Sequence, residues 1–195
     1  MHTARPLHGR PAEEPGVATD TAPVPFAGRR RLARGGLLLM AGAEARTVYF
    51  VRRGQLRVFR VAESGRGATT AVLGPGQVAG IAPLLGCGVY HAFVEALTPA
   101  EVWTVPTDRL LAALRDDPAL LERVMVALAR RLDLTVGLLY DVALRRVADR
   151  LGAVEARLRP VLGGETARLN RRDLGALVGA RRETVCRAVA AGEAA

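Results

Sequence analysis

The sequence contains no lysine; its 28 basic side chains are all arginine. Ala, Gly, Leu, Val and Arg dominate, as in a high-GC coding bias, so part of the arginine excess reflects codon usage rather than function. Cysteine is almost missing. Cys87 and Cys186 lie far apart and lack metal-ligand spacing, which argues against a disulfide framework and against a zinc site. Histidine is scarce as well: His2, His8 and His91 cannot supply the His/Glu cluster that a metal-dependent β-barrel enzyme needs. No apolar run approaches the length of a membrane span, residues 37–40 being far too short, and no signal peptide is recognisable. These absences point to a reduced, cytoplasmic, non-enzymatic protein with no metal, no cofactor and no membrane partner.

What is present suits a polyanionic partner. The formal net charge is +9 over 195 residues, and half the residues are hydrophobic, enough for one or two compact domains. The charge is also concentrated. Between residues 168 and 187 lie Arg168, Arg171, Arg172, Arg181, Arg182 and Arg187, opposed only by Asp173 and Glu183.

That same stretch predicts two short helices around a tight turn. Asn170 is a capping residue, and Asp173 falls in the first turn, where a carboxylate suits the positive end of the helix dipole. Leu174, Leu177 and Val178 form one apolar face. Gly179 ends the helix where positive φ is needed. A second helix restarts near Arg181 and buries Val185 and Val189. Its other face carries Arg181, Arg182, Glu183, Thr184 and Arg187. This is a helix-turn-helix pattern, whose second helix would enter the DNA major groove.

The run Val-Gly-Ala-Arg-Arg-Glu-Thr-Val-Cys-Arg at 178–187 closely resembles the recognition segment of the Crp/Fnr family of bacterial transcription regulators. The resemblance implies that Arg182, Glu183 and Arg187 reach base edges and Thr184 touches phosphate. The chemistry agrees, since Arg can clamp guanine with two bonds and Glu can accept from the cytosine amino group. Arg171 and Arg172 are candidates for phosphate contact alone. Cys186 is read as the small residue of this helix.

Upstream, residues 1–28 are proline-rich and aperiodic and read as a disordered leader. Residues 29–117 hold short strands separated by glycine: 47–51, 55–61, 68–73, 92–97 and 100–105. In the second of these Leu56, Val58 or Phe59, and Val61 compete for the inward face. Arg53-Gly54 and the Leu-Gly-Pro-Gly-Gln-Val run at 73–78 resemble turn signatures of the cyclic-nucleotide-binding β-roll. The nucleotide cassette departs from the pattern. Gly80 is followed by Ile81 where the family has Glu, and His91 stands where it has Arg, with Ala92 or Phe93 as its neighbour. Ile cannot accept the ribose bond, and neutral His pairs weakly with phosphate. Gly80, Ile81, His91 and Phe93 therefore mark a degenerate effector pocket, unresponsive to cyclic AMP, with the effector unknown. His91 as a haem ligand or pH sensor is the alternative.

Residues 107–114 predict a short helix. Asp116-Asp117-Pro118 opens a long one, because Pro suits the first helical position. Leu121, Val124, Met125, Leu128, Leu132, Thr135, Leu138, Leu139 and Val142 recur every three or four residues. So long a stripe calls for a second copy of the chain, with Leu121, Val124, Leu128, Leu132, Thr135 and Leu139 at the dimer interface and Gly137 allowing close approach. The helix at 144–158 turns Val147, Leu151, Val154 and Leu158 inward and is ended by Pro160, Gly163 and Gly164. The resemblance puts a hinge near 141–143 and a β-hairpin wing after the recognition helix, of which residues 191–195 can form little.

The expected fold is α+β: a leader at 1–28, an N-terminal antiparallel, jelly-roll-like β-roll at 29–117, a long dimerisation helix at 118–142, and a helix-turn-helix domain at 143–195 lacking most of the wing. The implied function is sequence-specific DNA binding by a homodimer, with double-stranded DNA and RNA polymerase as partners. The alternative is a sensor or protein-interaction module whose DNA-binding unit is defunct.

Overall fold

The computed structural model describes Val24 and residues 27–65, 67–85, 88–162 and 171–191. The leader, the Asn170 cap, the Gly163–Gly164 stop and the residues of the wing after Ala191 lie outside the described residues, apart from Val24, Ala27 and Gly28 of the leader.

Eight strands form two antiparallel sheets. They are β1 (Gly28–Leu32), β2 (Leu37–Leu39), β3 (Thr47–Arg53), β4 (Leu56–Val61), β5 (Gly67–Leu73), β6 (Val78–Ala79), β7 (Phe93–Ala96) and β8 (Ala100–Pro106). One sheet has the order β1-β8-β3-β6 and the other β2-β7-β4-β5. The alternation of β3 explains the packing. Tyr49 and Val51 point between the sheets with Leu56, Val58, Val94 and Val102, whereas Val48 and Phe50 point outward to helices. A strand buried on both faces reads as a continuous apolar run, as this one does. In β4, Leu56 and Val58 face the core as expected. The ladder to β5 then shifts between Val58 and Phe59, and Val61 ends 48% exposed, outside the competition for the inward face.

Helices α1 (Thr107–Asp116) and α2 (Pro118–Leu144) cover the outer face of the first sheet. Leu110, Leu120 and Val124 meet Phe50, Trp103 and Val105 there. Asp117 caps α2, accepting from the Leu120 amide at 3.0 Å, with Pro118 in the first turn. Helix α2 spans 27 residues and ends two residues later than expected. The chain breaks at Arg145–Arg146, not at 141–143, and α3 runs over Val147–Leu162. Pro160 does not end α3. A proline so near the end removes only one of the last intrahelical bonds. Helices α4 (Arg171–Val178) and α5 (Arg182–Ala190) complete the chain. Their core joins Leu151, Val154 and Leu158 of α3 to Leu177, Val178, Val185 and Ala188. Val189 only packs against its edge.

The β3–β4 turn depends on Gly54. Its φ is +79°, and an added Cβ would stand 2.3 Å from the Pro99 carbonyl oxygen. Gly42 has φ +83° with nothing within 4 Å. Gly42→Ala should therefore cost about 1–2 kcal/mol, from left-handed strain alone. Gly54→Ala should cost roughly 3 kcal/mol or more, because backbone must also move. Urea titrations that ranked the two equally would contradict this account of the turn.

Candidate nucleic-acid interface

The helix-turn-helix is held from inside. Gly179 adopts φ +66°, as its place in the sequence requires, and the Ala180 amide closes the turn onto the Gly175 carbonyl at 2.9 Å. Arg150 of α3 donates to the Val178 carbonyl at 2.9 Å and to the Arg145 carbonyl at 2.8 Å, tying the end of α4 to the break between α2 and α3. Helix α5 starts one residue later than predicted, with Arg181 as its N-cap. Val185 and Ala188 face inward. Arg181, Arg182, Glu183 and Arg187 are exposed, and Thr184 is half-buried. Thr184 and Arg187 share a shallow cleft with Arg146 and Asp149 at the start of α3. Arg171 is exposed at the start of α4. Arg171, Arg181, Arg182, Glu183 and Arg187 thus lie exposed on two adjacent helix starts and one helix face, while the side chain of Arg172 lies outside the described residues.

The first helix of this pair is tied to the β-roll. Arg57, on the outer face of β4, bonds Asp173 of α4 at 3.2 Å and Glu95 of β7 at 3.1 Å. Its guanidinium also lies 4.4 Å over the Phe59 ring, which stacks on Phe93 at 5.3 Å. Asp173 is in the first turn, as expected for the helix dipole, and is also the anchor of a contact 116 residues distant in sequence. Nothing in the sequence singles out Arg57, because an outward charge on an alternating strand is ordinarily solvated. A second tie lies at the end of α2. Asp141 is 1% exposed and pairs with Arg145 and with Arg157 of α3.

The four residues of the degenerate cassette do not converge. Gly80 faces the Tyr90 ring and Leu39 inside the roll. Ile81 packs in the other core, with Phe50, Trp103 and Val124. His91 is exposed, and Phe93 stacks on the outside of its sheet. The alternation of β7 explains the misplacement: Val94 and Ala96 take the interior, so Phe93 cannot. Space for a small molecule lies elsewhere, between β5, β6, α2 and α3, where a void of about 70 Å³ shares only Ile81 with the cassette. Arg131 borders it, half-buried, donating to the Val78 carbonyl at 3.2 Å. Burial pushes its pKa below the usual guanidinium value.

The long apolar stripe divides. Val124 is 3% exposed and Leu128 packs at the edge of the same internal core, so Val124 has no free face for a partner and Leu128 little. Leu121, Met125, Leu132, Val136 and Leu139 remain exposed.

Residues 29–117 match the cyclic nucleotide-binding domain family. The chain is 32% identical over 185 residues to the cyclic AMP receptor protein of Thermus thermophilus, covering 93% of this chain and 82% of that protein. The chain belongs to the Crp/Fnr family of transcription regulators. It is also 29% identical over 161 residues to the cAMP-activated global transcriptional regulator CRP of Haemophilus influenzae, covering 78% of this chain and 71% of that protein. The fold is that of FixK2 from Bradyrhizobium japonicum, with a TM-score of 0.74 at 22% identity, covering 85% of this chain and 84% of that one. These Crp/Fnr relatives are regulators, not enzymes, and among the described residues no metal-binding cluster and no membrane-spanning helix occurs.

Within this family frame the Arg57 contact is a measurable joint between roll and helix-turn-helix. Arg57→Ala should destabilise the protein by about 2 kcal/mol, since it removes the cation that bridges buried Asp173 and half-buried Glu95. A double-mutant cycle with Asp173→Ala should return a coupling of about 1–2 kcal/mol. A coupling near zero would show that the two side chains touch without holding the domains together.

Proposed function

We propose that this Crp/Fnr regulator binds DNA as a homodimer at a pseudo-palindromic site and alters RNA polymerase recruitment there. The observation that carries the reading is α5. Its apolar side is fully used by Val185 and Ala188, while Arg181, Arg182, Glu183 and Arg187 stand exposed together. Solvation alone gives no reason for a lone Glu among arginines beside Thr184. Arg182, Glu183 and Arg187 read bases, and Arg171, Arg181 and Thr184 hold phosphate. Phosphate contacts supply most of the affinity and make it fall with salt.

The cassette residues support indifference to cyclic AMP. Ile81 offers no acceptor and sits in a core, and His91 and Phe93 face away from it. The relatives' names mention cyclic AMP; the side chains here do not suit it.

Two recognition helices on a two-fold axis would meet successive major grooves about 34 Å apart. Selection from random duplexes should therefore yield two-fold symmetric sites with half-sites about one helical turn apart. Arg187→Ala should cost about 1–3 kcal/mol and relax the preference at one base pair. Arg171→Ala should weaken all sequences alike and flatten the salt slope by about one unit. Sites without symmetry, or an Arg187→Ala protein with unchanged preference, would count against this assignment. Failure to bind any duplex at low salt would leave a sensor module.

The dimer forms through the exposed row of α2. Leu132 and Leu139 are 66% and 67% exposed, and with Leu121, Met125 and Val136 they repeat every three to seven residues along one side. Thr135 borders the row, exposed, its hydroxyl donating to the Arg131 carbonyl. Light scattering should give twice the chain mass. Leu132→Arg should give monomer, because it places two charges face to face without partners while sparing the chain's own core. A wild-type monomer at high micromolar concentration would refute this interface.

A further inference from the structure

Two helices end at the same place. Helix α2 closes at its C-cap, Arg145, and α4 closes at Val178, directly before the Gly179 turn. Carbonyls at a helix C-terminus lack intrahelical partners, and each such end is the negative pole of a helix dipole. Two of them brought together unaided repel. The Arg150 guanidinium lies between them. Its Nε donates to the Arg145 carbonyl at 2.8 Å and its Nη1 to the Val178 carbonyl at 2.9 Å. A planar cation with a fixed fork of donors thus satisfies one carbonyl of each end and offsets both poles.

The effect reaches past the helix ends. The turn glycine lies against α2, since a Cβ added to Gly179 would stand 3.6 Å from the Val142 side chain. Two residues beyond Gly179 comes Arg181, the N-cap of α5. The direction of α5 therefore follows from where the Gly179 turn is held. Two other ties act elsewhere. Asp141 to Arg157 joins α2 to α3, and Arg57 to Asp173 joins the first turn of α4 to the roll. Arg150 fastens the far end of α4, beside α5, to the end of α2.

We propose that Arg150 is a positioning residue for site selection: it sets the angle of α5 on α2 and so the half-site spacing that the protein accepts. Two of its three side-chain nitrogens are engaged by protein carbonyls and the side chain is half-buried, so it acts through α5 and not by touching DNA. The role rests on the dimeric DNA-binding reading above. There α2 is the dimer helix, so any change of angle between α2 and α5 is doubled across the two-fold axis. One inserted base pair moves a half-site by about 3.4 Å and turns it by about 35°. A fixed α5 pair rejects that displacement, and a loosened pair follows it.

The test uses the full chain and duplexes carrying the selected half-sites at three spacings: as selected, and with one base pair inserted or removed. Wild type should prefer the selected spacing. In Arg150→Gln that preference should shrink about tenfold or more, which is what loss of a charge-assisted bond to a carbonyl amounts to. Binding to a duplex with a single half-site should stay within about twofold, because α5 itself is intact. The salt slope should not change, because no phosphate contact is removed. Arg150→Lys, which keeps the charge between the helix ends without the fork, should lie between wild type and Arg150→Gln. If Arg150→Gln does not fold, Arg150→Lys is compared with wild type and the same direction of change is expected. A readout without DNA is excitation transfer from Trp103, the protein's one tryptophan, to a dye on Cys186 of α5 in a Cys87→Ser background. Its distance distribution should widen in Arg150→Gln. Three results would each overturn the proposal. They are an unchanged spacing preference, a loss at the single half-site in proportion to that at paired sites, and a salt slope lowered by about one unit, the mark of a phosphate contact. Wild type that selects symmetric sites while the variant shows equal spacing preference and equal distribution width removes the role of Arg150 alone. Wild type that binds no duplex removes the regulator reading and the site-selection role with it.

Discussion

Helix α2 carries apolar side chains around most of its circumference, and its own chain covers only part of them. Leu120 and Val124 are buried against the roll, whereas Leu121, Met125, Leu132, Val136, Leu139 and Tyr140 are not. Full burial of a leucine or methionine is worth roughly 1.5–3 kcal/mol relative to exposure. Several such side chains in a row represent a driving force comparable with the net stability of a whole domain. The helix also spans both halves of the molecule. Its first turns close the roll, and its last turns hold Asp141 against Arg157 of the helical domain. One rigid element therefore sets the distance between the roll and α5.

Legibility followed sequence distance. The turn at Gly179 and the cap at Asp117 are closed by residues within a turn, and the inward set Leu151, Val154 and Leu158 is marked by its own helical spacing although its packing partners lie far along the chain. Strands β3, β4, β5, β7 and β8 announced themselves by β-branched or alternating runs. Strand β6 is two residues long and exists because β3 offers it partners at Tyr49 and Phe50. Strand β1, Gly-Arg-Arg-Arg-Leu, has no strand-forming pattern and is imposed by pairing with β8. The contacts that join the domains, Arg57 to Asp173 above all, connect residues whose types are commonplace and whose meeting depends on the whole fold.

The arginine excess also reads differently once each side chain is located. Arg57, Arg131, Arg150 and Arg157 serve the interior, one by pairing two carboxylates, two by bonding backbone carbonyls, one by holding the end of α2. Arg29, Arg31 and Arg52 surround the single carboxylate of Glu101, with Arg29 4.4 Å from the Trp103 ring. The planar guanidinium suits all these roles, since it can bond two acceptors and stack on a ring at once. Net charge thus overstates the surface available to a polyanion. The arginines of α5 are distinguished not by their number but by having no such internal use among the described residues.

The ties between the halves act on the back of the recognition unit. Arg57 holds the first turn of α4, Arg150 holds the Gly179 turn from behind, and Asp141 holds α3, while the exposed face of α5 takes part in none of them. The docked arrangement therefore leaves Arg181, Arg182, Glu183 and Arg187 accessible and fixes only their position relative to the roll. The Arg57 tie, worth about 2 kcal/mol, is one of several, alongside the Asp141–Arg157 pair and the apolar contact of Val72 and Leu97 with the α3–α5 core. Anything that strengthens the seam between roll and helical domain by a similar amount shifts the ratio of docked to undocked molecules roughly thirtyfold.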